Sequence, residues 1–129
     1  MLFVQQIANT IDPSIQVTID YPSRHSDVKM PILDLKVWPS QEQDPETREV
    51  SVTIMHEHYH KEVGSRAVVN AKSALTHKMK RTIHTQEIIR ILRNCSRQLP
   101  WEVTRAHIEE YVTRMQFSGY TRYFRAEVV

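Results

Sequence analysis

Glycine and cysteine are nearly missing from this chain, with two glycines and one cysteine in 129 residues. So few glycines exclude the Gly-rich phosphate loops, and neither G-x-G-x-x-G nor a Walker A sequence is present. The lone Cys95 excludes an internal disulfide and any Cys-x-x-Cys zinc site. No apolar run approaches the ~20 residues needed to span a bilayer. The start, Met1-Leu2-Phe3-Val4-Gln5-Gln6, lacks the basic n-region and long apolar core of a signal peptide. The expectation is an intracellular chain, cytoplasmic or nuclear, with a reduced thiol and no membrane partner. No internal repeat or low-complexity tract is present.

What is present is an uneven distribution of charge. Between Arg66 and Arg97 there are eight Lys or Arg residues against one acid, Glu87, a net of +7. Residues 1–65 carry five bases and ten acids, and residues 98–129 carry four of each. The overall net charge of +2 conceals this separation. A basic stripe beside acidic or neutral structure is the electrostatic footprint of a phosphate-backbone binder. The same pattern also describes a solvated helix face with no ligand.

The length fits one domain with a modest core. Phe3, Ile7 and Ile11 fall at i, i+4 and i+8, a short amphipathic helix stopped by Asp12-Pro13. Ile15, Val17 and Ile19 alternate with Gln16, Thr18 and Asp20, which predicts a half-buried strand over 15–21. A polar loop over 22–30 precedes a second strand, Ile32 to Trp38, ended by Pro39. Ser40 to Glu49 reads as a mobile connection, and Val50 to Tyr59 as a third strand, antiparallel to the second. Residues 65–75 are ambiguous between strand end and helix start.

From His77 to Arg97 the period is helical, with Ile88, Ile91, Leu92 and Cys95 on one stripe. Gln86, Arg90, Arg93 and Arg97 fall opposite. Leu99-Pro100-Trp101-Glu102 starts a further helix burying Ile108, Tyr111, Val112 and Met115. A last helix from Thr121 follows Ser118-Gly119. The fold class is therefore α+β: an N-terminal helix, a small antiparallel sheet of about three strands, then a helical bundle. The division falls at 1–64 and 65–129.

Catalytic and metal chemistry find little support. His56, His58 and His60 would share one side of a strand, as zinc-binding strand histidines do, but no fourth ligand is evident and H-E-x-x-H is absent. No metal is assigned. Asp34, inside an apolar strand, reads as an edge or hydrogen-bonding residue. Cys95 lies on the buried face and reads as inert, and neither Ser96 nor Ser118 has neighbours that make a triad. Trp38, Trp101, Tyr120, Tyr123 and Phe124 lie near basic residues and are of the type that stacks bases. Helical spacing favours core packing for Trp101, Tyr120 and Phe124.

The order of several segments carries a resemblance. Pro13-Ser14-Ile15-Gln16-Val17-Thr18-Ile19-Asp20 is followed by Met30-Pro31-Ile32-Leu33-Asp34-Leu35-Lys36-Val37-Trp38, a strand end His58-Tyr59-His60-Lys61, and a basic helix opening His77-Lys78-Met79-Lys80-Arg81-Thr82. The chain closes on Ser118-Gly119-Tyr120-Thr121-Arg122-Tyr123-Phe124-Arg125. Over nearly its whole length it resembles the part of retroelement reverse transcriptases that follows the catalytic Tyr-x-Asp-Asp, most closely that of Penelope-like and related animal elements. The resemblance implies that residues 1–21 end the palm and that 31–38 with 50–60 form the hairpin gripping the primer, with Leu33, Asp34 and Leu35 in its motif. It implies that 65–129 form the helical thumb, often called a helix-turn-helix region, which would lie along a template–primer duplex. Departures are visible: Glu62 follows Lys61 where the family usually has Pro, and His58 and His60 replace its common residues.

Neither Tyr-x-Asp-Asp nor any adjacent Asp-Asp pair occurs. A complete polymerase of this kind would use Mg held by such carboxylates; this chain cannot supply that site, and no cofactor is expected for it. The resulting expectation is a non-catalytic piece, separated from its palm and fingers, that binds an RNA–DNA or DNA duplex without reading sequence. Lys78, Lys80, Arg81, Arg90, Arg93 and Arg97 would make the phosphate contacts. A sheet face stripped of its palm would favour dimerisation or aggregation. The alternatives are a stand-alone helix-turn-helix DNA-binding or protein-interaction module, and an inert retroelement relic.

Overall fold

A computed structural model describes residues 2–12, 14–61 and 67–129. The chain forms two compact units, Met1–Met30 and Pro31–Val129. Its elements are an N-terminal helix, a small three-stranded antiparallel sheet and then a helical bundle, the α+β architecture expected from the sequence.

In the first unit, α1 (Leu2–Ile11) forms as its apolar spacing predicts, with Phe3, Ile7 and Ile11 left exposed. The Asp12 carboxylate accepts from both the backbone N–H and the hydroxyl of Ser14 and turns the chain away. The strand expected over 15–21 is absent; these residues form neither strand nor helix. Their alternation finds no neighbouring strand. Instead the Gln5 and Asn9 amides donate to the Val17 carbonyl at 2.9 and 3.2 Å, and Asn9 accepts from the Val17 N–H. A short 3-10 turn, Pro22–Arg24, follows.

The sheet has the order β1 (Met30–Ile32), β2 (Leu35–Gln43), β3 (Val50–His58). The single strand expected over 32–38 is broken at Leu33, whose φ of 56° lies in the left-handed region and reverses the chain. Pro39 does not end β2. Because β1 is only three residues long, it leaves most of β2 with an open edge, where a missing N–H is tolerated. β2 and β3 pair antiparallel from Leu35↔His58 to Gln43↔Val50. The mobile connection expected over 40–49 is therefore strand over 40–43. Only 44–49 turn, held by Asp44, whose carboxylate accepts from the N–H groups of Glu46 and Thr47.

Residues 67–76 are irregular, neither strand nor helix. Helix α2 (His77–Arg93) starts at Thr76, whose hydroxyl accepts from the Met79 N–H, and ends four residues earlier than its period suggested. Pro100 opens α3 (Trp101–Phe117), and Thr121 caps α4 (Arg122–Val128) through the Phe124 N–H. Gly119, at φ 89°, makes the left-handed turn after α3 that glycine alone adopts freely. Ile88, Ile91, Tyr111, Met115, Tyr120, Phe124 and Val128 form the core. Leu92 and Trp101, expected inside, are largely exposed. Leu92 sits at the margin of the stripe, and Trp101 lies in the first turn of α3.

His84 is fully buried inside this core. Its Nδ1 is 2.7 Å from the Tyr111 hydroxyl, and its ring meets the Tyr120 ring edge-on at 4.5 Å. Burial pushes the His84 pKa down and the Tyr111 pKa far up, so both stay neutral near pH 7.

Candidate nucleic-acid interface

Helix α2 carries the charge excess. Successive residues rotate by about 100°, so His84, Ile88 and Ile91 turn inward together and are buried. Lys78, Thr82, Gln86 and Arg93 lie on the opposite, exposed side. Arg81 is exposed as well, but lies roughly 60° around the helix from His84 rather than opposite it. Arg97 is exposed too, but it stands in the α2–α3 connection rather than on the helix.

The six cations named from the sequence separate into two groups. Lys80 is half-buried, and its Nζ donates to the carbonyls of Ala71 (2.6 Å) and Ser73 (2.9 Å), pinning the irregular segment before the helix. Arg90 is held by two carboxylates. Its guanidinium donates to Glu87 at 2.6 and 3.1 Å and to Asp34 at 2.7 Å. The Glu87 hydrogen bonds are the largest effect raising the Arg90 pKa above its ordinary value. Lys78, Arg81, Arg93 and Arg97 form no side-chain hydrogen bond or ion pair among the described residues.

Leu33, Asp34 and Leu35 are close in sequence but differ in role. Leu33 stands at the tip of the β1–β2 turn, 84% exposed. Asp34 turns toward α2, where its carboxylate accepts from Arg90 and from the Asn94 side chain at 2.8 Å. Burial pushes this carboxyl up, but the hydrogen bonds from Asn94 and its own backbone, with the Arg90 charge, bring it below the ordinary value. Leu35 opens β2 opposite His58.

The histidines stitch the sheet end to the helices. His56 exchanges backbone bonds with Ser96: its N–H donates to the Ser96 hydroxyl, and its carbonyl accepts from the Ser96 N–H, both at 2.8 Å. Its Nδ1 lies 3.1 Å from the Asn94 carbonyl. His58 is buried, 3.3 Å from the Asn94 amide and edge-on to His107 at 5.5 Å. Desolvation first, then the His107 and Arg90 charges, lower its pKa. His60 lines a shallow cavity of about 160 Å³ with Lys36, Glu57, His107, Glu110 and Arg114. Among the described residues, no group of three His, Cys, Asp or Glu is placed to hold a metal ion. Cys95 is buried.

Asn94 and His84 were not singled out from the sequence. His84 was legible, because it stands four residues before Ile88 and seven before Ile91. Asn94 gave no local signal; its role depends on the turn at Leu33 arriving beside it.

No protein-family model, no curated protein and no solved structure matches this chain. Among the described residues, no helix is long and apolar enough to cross a membrane.

Proposed function

We propose that this chain is the primer-grip and thumb portion of a reverse transcriptase of the retroelement type, acting inside the cell by holding a nucleic-acid duplex through its phosphates. The observation that carries this reading is the exposed side of α2. There Lys78 and Arg93, with Arg81 further round the helix and Arg97 beyond its end, make no ion pair with the described residues, and the nearby acids Glu87 and Asp34 are taken up by Arg90. Unneutralised cations spaced along a rigid helix release counterions when they meet phosphates, which gives affinity without sequence information.

The network around Asp34 supports the same arrangement. It fixes the Leu33 turn against the helix, so that turn and basic face belong to one rigid surface. Lys80 and Arg90 brace that surface; Lys78, Arg81, Arg93 and Arg97 carry the contacts. The sequence has neither Tyr-x-Asp-Asp nor an adjacent Asp-Asp pair, and the part proposed for it is binding and positioning.

Charge reversal tests the reading. Arg81→Glu and Arg93→Glu weaken binding to a mixed-sequence RNA–DNA hybrid, equally for unrelated sequences, and each lowers the salt dependence by about one phosphate contact. A marked preference for one duplex sequence points instead to a sequence-reading helix-turn-helix module. Unchanged binding after both reversals contradicts the proposal.

A further inference from the structure

Two cavities lie between the end of the sheet and the helices, and two side chains, His60 and Arg114, line both. His60 follows β3, and Arg114 lies on α3. The acids Glu57 and Glu110 border the smaller cavity, of about 160 Å³. The larger, of about 280 Å³, has apolar walls from Val68, Val69 and Ile83 together with Tyr111. The acid on its wall, Glu87, has both carboxylate oxygens on Arg90, so that pair is neutral.

The charge left over in the larger cavity is Arg114. Its guanidinium carbon stands 5.2 Å from the centre of the Tyr111 ring, which fixes the group in place. The Arg114 side chain is half-buried and makes no hydrogen bond or ion pair among the described residues. Its Nε and the His60 Nε2 are both shut off from solvent without a hydrogen-bond partner, whereas the two Arg114 Nη groups are not closed in this way. A buried N–H without an acceptor is unfavourable, and a guanidinium beside apolar walls attracts an anion more strongly than one in water. Two unsatisfied side chains on one cleft mark a place where an acceptor is missing.

We propose that this cleft binds one phosphodiester group of a nucleic-acid strand, with the Arg114 fork on two of its oxygens and the His60 ring as a further donor. The charges match: one free guanidinium meets one negative charge, whereas the second charge of a phosphomonoester would stay uncompensated near the acids. Ile83, Glu87 and Arg90 of α2 form one wall of the cleft. A single strand that runs off a duplex held on α2 therefore passes its opening. The oxyanion site stands without the duplex-binding reading; only the identity of the strand rests on it.

Heteronuclear NMR of the nitrogen-15-labelled full chain tests the site with dimethyl phosphate, a phosphodiester without sugar or base. The Arg114 Nε–H signal and the backbone amides of Val68 and Val69 move together and saturate at millimolar concentration. Arg114→Gln stops the movement of the two amides, and His60→Ala lowers the affinity several-fold, with circular dichroism reporting the fold of each. Arg114→Lys keeps the charge without the fork and also lowers the affinity several-fold, so the test holds even where the glutamine variant does not fold. Signals that stay still, that drift without saturating, or that respond to acetate and not to dimethyl phosphate overturn the site. Fluorescence anisotropy tests the strand. A duplex with a short single-stranded overhang binds several-fold more tightly than the blunt duplex, and Arg114→Lys and His60→Ala each reduce that gain. An overhang that adds nothing refutes the strand as the ligand. Arg81→Glu with Arg93→Glu weakens both duplexes and leaves the dimethyl phosphate response intact, so failure of the α2 reading and failure of the cleft are told apart.

Discussion

Lowering the pH below neutrality destabilises this fold through two histidines. His84 has no solvent exposure and His58 has 5%, and burial lowers the pKa of each. The groups facing His84 are Glu87 on its own helix, Tyr111 on α3, and Tyr120 and Phe124 beyond it. Only Glu87 favours the charged form, and burial outweighs it. Because the folded pKa is depressed, the unfolded chain takes up the proton first. Stability is therefore complete above the unfolded value of about 6.5 and declines as the pH falls below it. The decline continues until the pH reaches the depressed folded value. Each histidine that stays neutral costs about 1.4 kcal/mol per pH unit in this window. Between about pH 7.5 and about pH 5.5 the pair therefore removes at most roughly 3 kcal/mol, the limit reached if neither protonates in the fold. Urea unfolding followed by far-UV circular dichroism across this range measures it. His84→Leu starts less stable, because the Tyr111 hydroxyl loses its partner, yet its stability changes with pH about half as steeply as the wild type. A wild-type midpoint that is flat over the range, or a His84→Leu slope equal to the wild type, refutes the reasoning.

Other substitutions follow from the packing. Asp34→Ala leaves Arg90 with Glu87 alone and costs at most about 1 kcal/mol, because the pair is partly exposed and screened; by freeing the Leu33 turn from α2 it also weakens duplex binding, measurable by fluorescence anisotropy. Met115→Ala empties a fully buried site and destabilises by about 2–5 kcal/mol in chemical denaturation. Gly119→Ala costs about 1 kcal/mol by the same measurement: its added Cβ would sit an ordinary 3.5 Å from the Ala71 Cβ, so the cost comes from the positive φ and not from crowding.

The helical half was readable because its information is local. Ile88, Ile91, Tyr111, Met115, Phe124 and Val128 repeat at helical intervals, and Thr121 and Gly119 mark their boundaries without reference to the rest of the chain. The sheet was read less well because pairing depends on what arrives beside a strand. Ile15, Val17 and Ile19 alternate as well as β3 does, but side-chain amides from α1 take the backbone groups a neighbouring strand would need. A leucine in the left-handed region at position 33 has no compositional mark, so the break before β2 was invisible. Pro39 is a stop signal in a central strand and harmless on an open edge, a distinction that needs the topology.

The candidate site shows the same division. The basic residues were visible as charge, but their partners were not. Asp34 is 56 residues from Arg90, and only the fold brings it within 2.7 Å and turns that arginine from a free cation into a brace. The carbonyls that hold Lys80 belong to an irregular segment with no readable pattern.

The most direct test of the central claim is binding of the full chain to a mixed-sequence RNA–DNA hybrid, by fluorescence anisotropy, as salt is raised from about 0.05 to about 0.3 M. With Lys78, Arg81, Arg93 and Arg97 on phosphates, log K falls against log salt with a slope of about −3 to −4, and unrelated duplex sequences bind alike. A folded chain that fails to bind at the lowest salt, or that binds with no salt dependence, contradicts the account and leaves α2 as a solvated helix.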